Sequence, residues 1–198
     1  MYTGPAGTRV ARDLLEVPTW LSGGRRSSTH RDAYFTTSRL HSVRRRHGAV
    51  YKGLSVLLWR KGAVDWCTGE EINDVLYFEE QIDSHHIFPV AWCKKQGIDP
   101  SKYNCLVNRT PLSAKTNRVI GGEPPSIYLR RLCLNGTFPS RLDEILYSHA
   151  IDPATLKRDD FEAFFATRTR ALMELIEEVM GKRLTVEPTF RPWTVTCR

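Results

Sequence analysis

The sequence predicts a mainly helical α+β domain, and three observations favour this fold class. The chain has 198 residues and is 41% hydrophobic, which is enough for one domain with its own core. Apolar residues recur every three or four positions over 159–180, which is typical of an amphipathic helix. Residues 82–88 are predicted to form a short β-strand, which Pro89 ends. We therefore expect one small hairpin surrounded by helices.

The N-terminal third combines a loose lead-in with two predicted helices. Residues 1–30 contain several glycines and prolines and show helical spacing only over 8–15. Helices are predicted over 31–47 and 49–61, and the first of them ends in three arginines, numbers 44 to 46. Cationic side chains stabilise the carboxyl end of a helix, and guanidinium groups also match phosphate oxygens. Helix capping and phosphate contact both stay open for these arginines.

The centre of the chain is predicted to hold the hairpin. Its first strand is followed by a helical turn over 90–97, and the second strand is predicted over 103–107. A further helix is expected to begin at Ser113, which is a suitable N-cap residue. The order predicted for this region is therefore strand, strand, helix.

The C-terminal half is predicted to be helical and mostly architectural. Helices are expected over 126–134, 141–149 and 159–180. His149 is expected to pack or to cap a helix, not to catalyse. Residues 182–198 are predicted to form an extended tail.

Composition argues against several classes of protein. The sequence has no run of about 18 apolar residues and no apolar leader, so we expect a cytoplasmic protein that does not span a membrane. Its five cysteines are scattered and never form a C-x-x-C pair, so we expect reduced thiols and no zinc. A GxxxxGK[ST] nucleotide-binding loop is absent as well.

The positive charge is concentrated in two parts of the chain. The net charge is +7. Counting Lys and Arg against Asp and Glu gives +9 for 1–62, −6 for 63–100, +5 for 101–135 and −1 for 136–198. The acidic residues between 70 and 80 are attributed to surface solvation. The positive excess lies in the N-terminal third and around Asn108 and Asn117, which is typical of a protein that lays a polyanion across the hairpin, although a solvated basic surface stays open as an interpretation.

Two histidines and two asparagines form the most informative pattern. His85 and His86 close the predicted first strand, and Asn108 and Asn117 follow at intervals of 22 and 9 residues. Hydrolysis of a phosphodiester needs a base that takes a proton from water and a cation that holds the phosphate. Imidazole can serve as the base near neutral pH, and an amide oxygen can bind a hard cation without adding negative charge. The pattern therefore predicts a metal-dependent phosphodiesterase.

The four residues are expected to do different jobs. Neighbouring side chains on a strand point to opposite faces, so one of His85 and His86 would face the metal and the other the water. Other interpretations stay open: a buried, hydrogen-bonded histidine for one of the pair, a turn residue for Asn108, and a helix-ending residue for Asn117. Asp83 could orient an imidazole or join the outer coordination shell.

Four short segments carry a resemblance to a known family. They are His85-His86-Ile87-Phe88-Pro89, Asn108-Arg109-Thr110-Pro111-Leu112-Ser113, Thr116-Asn117-Arg118 and Gly121-Gly122-Glu123-Pro124-Pro125-Ser126-Ile127-Tyr128-Leu129. In this order they resemble the HNH, or ββα-metal, endonucleases. More narrowly, they resemble the C-terminal HNH domain of GmrSD-type modification-dependent restriction and phage-defence enzymes. Four segments in order are much more specific than a lone His-His pair.

The resemblance implies a fold and a set of residue roles. A ββα-metal core at 82–126 would lie inside a helical nuclease domain spanning 31–181. By position, His86 matches the general base and His85 the first metal ligand, while Asn108 braces the loop and Asn117 is the second ligand. One divalent cation is implied; Mg²⁺ is expected, with Mn²⁺ or another divalent metal as alternatives. The side chains expected to contact DNA are Arg44, Arg45, Arg46, Arg109, Lys115 and Arg118.

The resemblance also implies partners. Besides DNA, the expected partner is an N-terminal sensor and nucleotide-hydrolysing domain of the same, longer protein. Two other classes stay open: a module that binds DNA without cutting it, and an HNH-type ribonuclease or toxin nuclease. The sequence leaves the oligomeric state open, and with it the choice between a nick and a double-strand break.

Overall fold

A computed structural model shows a mainly helical α+β fold with a two-stranded antiparallel sheet. The structure describes residues 6–44, 48–71, 82–134 and 139–184. The many helices and the single two-stranded sheet among these residues confirm the predicted fold class at the level of secondary structure. Among the described residues, no helix is both long and apolar enough to cross a membrane.

The described elements fall into three groups along the chain. The N-terminal group contains the helices α1 (Ala6–Leu21), α2 (Ser28–Asp32), α3 (Thr37–Ser42) and α4 (Ala49–Arg60). The central group contains β1 (Ile82–His86), α5 (Val90–Lys95), α6 (Pro100–Tyr103), a 3₁₀ turn (Leu106–Asn108), β2 (Arg109–Ser113) and α7 (Ala114–Ile120). The C-terminal group contains α8 (Pro125–Leu134), α9 (Pro139–Ser148), α10 (Pro153–Lys157) and α11 (Phe161–Met180).

The N-terminal third differs from the prediction in two ways. Helix α1 extends to Leu21, well beyond the short helical segment expected there. The single helix predicted over 31–47 is wrong, because α2 ends at Asp32 and α3 begins at Thr37. The ammonium group of Lys182 donates hydrogen bonds to the carbonyl oxygens of His30, Arg31 and Ala33. This distant lysine satisfies the carbonyls at the end of α2, so the chain can leave the helix there.

The hairpin starts where expected, but its second strand lies later in the sequence. Strand β1 pairs with β2 so that His85 is opposite Thr110 and His86 is opposite Arg109. The second strand predicted over 103–107 is wrong. Asp99 caps α6 by accepting a hydrogen bond from the Ser101 amide (2.7 Å), and the 3₁₀ turn follows before β2 begins.

Two hydrophobic clusters pack around the hairpin and are joined by α11. One cluster contains Phe88, which lies two residues after β1, together with Phe164 of α11. The other contains Leu106 of the 3₁₀ turn together with Leu172 of the same helix. Helix α11 ends at Gly181, whose left-handed φ of 59° favours glycine. The predicted long amphipathic helix and its supporting role are therefore confirmed.

Some predictions concern residues that the structure does not describe. Arg45, Arg46 and the segments 72–81 and 185–198 lie outside the described residues. The predictions made for them stay predictions.

Candidate active site

His85 and His86 lie on opposite faces of the hairpin. His85 shares its face with its cross-strand partner Thr110, and both side chains are buried. His86 shares the other face with Arg109, and both of those side chains are half-buried. Because successive side chains of a strand point to opposite faces, the two adjacent histidines have different surroundings.

His86 has the properties of a neutral proton acceptor. Burial, helped by the positive charge of Arg109 and by His85, lowers its pKa to about 4, although a hydrogen bond with Asn104 acts in the opposite direction. Its Nε2 atom is buried and makes no hydrogen bond to any described residue. At neutral pH the ring is therefore uncharged and can accept a proton.

The Asn108 side chain links the segment after β1 to the segment before β2 through hydrogen bonds. This side chain is fully buried. Its Oδ1 atom accepts a hydrogen bond from the Phe88 amide (2.9 Å), and its Nδ2 group donates to the carbonyl oxygens of Phe88 and Tyr103 (both 2.9 Å). Because Phe88 lies two residues after His86, this bracing fixes the chain just beyond the histidine pair.

Helix α7, which carries Asn117, packs against the hairpin. Ser113 caps the helix by accepting a hydrogen bond from the Thr116 amide (3.1 Å), as predicted. The helix contacts both strands and buries Thr116 and Ile120, while the Asn117 side chain is exposed. Gly121, not Asn117, ends the helix. The amide of Asn117 is therefore not needed as a cap.

Asp65 holds the start of α7 and was not singled out in the sequence. Its carboxylate accepts hydrogen bonds from the Ser113 amide (2.8 Å) and the Thr116 hydroxyl (2.5 Å). It also accepts hydrogen bonds from the amides of Cys67 (3.0 Å) and Thr68 (3.1 Å) in its own loop. Burial opposes ionisation, but these hydrogen bonds outweigh it and lower the pKa of Asp65. The only local signal was an aspartate followed by Thr68 and a glycine, which is typical of a turn.

His149 is a buried structural residue behind β2. Its Nδ1 atom lies 2.6 Å from the Thr110 hydroxyl, and its Nε2 atom lies 2.8 Å from the Val64 carbonyl oxygen. Burial lowers its pKa to about 4. This position agrees with the packing role predicted for His149.

A second buried residue, Arg168, was also missed. The fully buried guanidinium donates hydrogen bonds to the carbonyl oxygens of Val107 (2.6 Å), Arg109 (2.9 Å) and His149 (3.2 Å). Burial lowers its pKa to about 9, which still leaves it charged at neutral pH. A signal existed, because position 168 continues the apolar spacing of Phe164 and Leu172 on α11.

The two predicted metal ligands, His85 and Asn117, lie on elements that are in contact; the first side chain is buried and the second is exposed. His85 offers an imidazole nitrogen on the hairpin, and Asn117 offers an amide oxygen on the helix that contacts it. Within the described residues there is no cluster of three His, Cys, Asp or Glu side chains. The pair His85 and Asn117 supplies one imidazole and one amide, so it does not make such a cluster. The structure does not describe the side chain of Asp83.

The predicted DNA-binding residues that are described lie mostly at the surface. Lys115 and Arg118 are exposed on α7, on either side of Asn117, and Arg44 is exposed beyond α3. Arg109 is half-buried, and its Nε donates to the Asn104 carbonyl oxygen (3.4 Å).

Acidification is expected to destabilise the fold through His149. Its pKa is about 4 in the folded chain and about 6.5 in an unfolded one. The unfolded chain therefore binds more protons between these values, so stability present above about pH 6.5 is lost as the pH falls toward 4. The expected loss is on the order of 3 kcal/mol, because each unit of pKa corresponds to about 1.4 kcal/mol. It can be measured as the free energy of unfolding in urea across this pH range.

The matched variant is His149→Gln, which does not titrate and whose amide can still donate to Val64. Its unfolding free energy should change less with pH than that of the wild type. Equal pH dependence in the two proteins would contradict the assignment.

Comparison with known proteins gives one distant relative. The chain is 21% identical to "Uncharacterized protein MJ0686" of Methanocaldococcus jannaschii over an alignment of 207 positions, which covers 91% of this chain and 35% of that protein. The chain thus spans about a third of the length of the relative it matches. No protein-family profile matches the chain, and no solved structure matches it.

Proposed function

We propose that this chain is a metal-dependent DNA endonuclease of the HNH type. The observation that carries the proposal is the arrangement of strand, strand and helix around His86. This uncharged histidine has an uncommitted buried nitrogen and lies at the end of β1. Asn117 lies on the helix that contacts the same hairpin. A histidine can serve as the base and an asparagine as a metal ligand in phosphodiester hydrolysis, and here the two lie on elements that are in contact.

In the proposed reaction His86 is the general base. It takes a proton from a water molecule as the water oxygen forms a bond to phosphorus. The bond between phosphorus and the 3′ oxygen breaks in line with the attack, and that oxygen takes a proton from solvent. The products are 5′-phosphate and 3′-hydroxyl ends.

His85 and Asn117 would hold one divalent cation, with Mg²⁺ expected and Mn²⁺ or another divalent metal as alternatives. Such a cation neutralises the charge that develops on the phosphate and the leaving oxygen. Asn108 does not touch the substrate in this account. It keeps the loop after His86 in one conformation through its three hydrogen bonds.

End analysis of the products tests the chemistry. Duplex DNA with a labelled strand is incubated with the chain in Mg²⁺ or Mn²⁺, beside a single-stranded RNA of the same sequence. We expect cleaved DNA whose 5′ ends can be ligated directly, because they carry phosphate. Ends with a 3′-phosphate would contradict the mechanism, and cleavage of RNA alone would favour the ribonuclease alternative.

The exposed cations of α7 are proposed to contact the phosphates beside the scissile bond. The double variant Lys115→Ala/Arg118→Ala is expected to weaken DNA binding and to reduce the slope of log affinity against log salt by about two. The matched control is Lys157→Ala/Arg158→Ala, which removes an exposed lysine and arginine from the end of α10. Fluorescence anisotropy with a labelled duplex at several salt concentrations measures both. Equal losses in the two variants would contradict the assignment.

The biological setting that the resemblance suggests is restriction or defence against phage. In that setting the chain would be the cutting domain of a longer protein, and a sensor domain would control it. The matched archaeal protein is much longer than this chain, which is compatible with such an arrangement. A DNA-binding module without cleavage is the alternative that the nuclease assay decides.

A further inference from the structure

The segment 121–129 is one of the four that carry the resemblance, but the proposed mechanism gives it no role. It contains the start of α8, which begins at Pro125. The carboxylate of Asp159 holds the first turn of this helix, because it accepts hydrogen bonds from the Ser126 amide (2.8 Å) and the Ser126 hydroxyl (2.7 Å). Two residues further on, the side chain of Tyr128 is fully buried.

Tyr128 reaches the part of the chain that directly follows His86. Its hydroxyl donates a hydrogen bond to the carbonyl oxygen of Ile87 (2.9 Å). Burial, together with the negative charge of Asp159, raises the pKa of Tyr128 well above its ordinary value, so the hydroxyl keeps its proton. This bond joins α8 to the residue that follows the proposed general base.

The peptide group between Ile87 and Phe88 is held on both sides. Its carbonyl oxygen accepts from Tyr128, and its N–H, which is the Phe88 amide, donates to the Oδ1 atom of Asn108 (2.9 Å). The Ile87 amide donates to the Asn108 carbonyl oxygen (3.0 Å). Asn108 thus holds the chain after His86 from the segment before β2, and Tyr128 holds it from α8.

We propose that Tyr128 is a positioning residue for His86. By binding the Ile87 carbonyl it keeps the end of β1, and with it the His86 side chain, in the orientation that catalysis requires. Rates depend steeply on such orientation, since a displacement of about 1 Å can cost about 100-fold. The restraint on the chain after β1 is independent of any reaction, whereas the effect on catalysis rests on the proposed function.

The test compares two variants that each lose one buried hydroxyl and keep the aromatic ring. Tyr128→Phe removes the donor to Ile87. Tyr51→Phe is the matched control, because Tyr51 is also buried but lies on α4 and packs in the other hydrophobic cluster.

Hydrogen exchange followed by NMR tests the restraint without metal or DNA. In Tyr128→Phe we expect the amides of Ile87 and Phe88 to exchange at least about fivefold faster relative to the Leu172 amide of α11. Tyr51→Phe should leave this ratio unchanged. An unchanged ratio in Tyr128→Phe would overturn the proposal. In the wild type the Tyr128 hydroxyl proton should exchange slowly enough to be observed, and its absence would overturn the proposal even if the variant failed to fold.

Single-turnover cleavage of a labelled duplex by saturating protein tests the effect on catalysis. We expect a rate constant about 10- to 100-fold lower in Tyr128→Phe, with unchanged affinity for the duplex, and a rate within a few-fold of the wild type in Tyr51→Phe. A smaller folded fraction does not lower the rate constant when the protein is saturating, so loss of stability alone would not produce this result.

The two measurements separate failure of this proposal from failure of the proposed function. If the wild type cleaves no DNA but the exchange ratio changes as expected, the nuclease proposal fails while the restraint by Tyr128 stands. If the wild type cleaves DNA and Tyr128→Phe cleaves it at the same rate, the positioning role is overturned while the nuclease proposal stands.

Discussion

Replacing His86 with alanine is expected to lower the rate of DNA cleavage by a factor of about 10² to 10⁴. The loss follows from removal of the group that takes the proton from the attacking water. DNA affinity should change little, because a neutral imidazole contributes little to phosphate binding. Single-turnover cleavage of a labelled duplex gives the rate, and anisotropy of the same duplex gives the affinity.

The control for this variant is His41→Ala. His41 is another half-buried histidine whose pKa is lowered by burial, but it lies on α3, outside the hairpin. Its replacement should leave the cleavage rate within a few-fold of the wild type. Equal rate losses in the two variants would mean that loss of a buried ring, not of a base, explains the effect.

Replacing Asn108 with alanine is expected to cost at least about 3 kcal/mol of stability. The substitution leaves three backbone groups without their buried partner, namely the amide and carbonyl of Phe88 and the carbonyl of Tyr103. Asn108→Asp should be no better despite its shape, because a carboxylate cannot donate to two carbonyl oxygens. Urea unfolding followed by tryptophan fluorescence measures both variants.

Asn117→Ala is the matched control, since it removes an exposed asparagine from α7. Its free energy of unfolding should stay within about 0.5 kcal/mol of the wild type, while its metal-dependent cleavage should be lost. These results would assign a structural role to Asn108 and a metal-ligand role to Asn117. A large loss of stability in Asn117→Ala and none in Asn108→Ala would contradict this division.

Local sequence signals were sufficient for the elements that carry the proposed chemistry. The strand that ends in His85 and His86 is bounded by a proline, and Ser113 caps α7 as its residue type suggests. The bracing role of Asn108 followed from its place in a motif of four segments. Each of these features depends on residues close together in the chain or on an ordered set of short motifs.

The supporting residues could not be predicted in the same way, because their partners are far away in the sequence. Asp65 holds a helix that begins 49 positions later, and His149 links Val64 to Thr110 across 85 and 39 positions. Arg168 has the spacing of a core residue but the chemistry of a surface one. Such polar contacts are favourable only in a buried setting that the fold itself creates.

Hydrogen bonds from side chains to backbone groups also explain the two wrong predictions of secondary structure, over 31–47 and 103–107. The helix predicted over 31–47 is interrupted where Lys182 binds the carbonyl groups at the end of α2. The second strand begins at Arg109, after Asn108 has used its side chain on Phe88 and Tyr103. In both places a side chain competes for the backbone groups of a regular element.

The most direct test of the central claim is incubation of supercoiled plasmid with the chain in Mg²⁺, Mn²⁺ or EDTA. His86→Ala and Asn117→Ala are assayed beside the wild type. We predict nicked or linear plasmid that requires the metal and is lost in both variants. Intact plasmid with every metal, or cleavage that survives His86→Ala, would contradict the claim that this hairpin is a nuclease site.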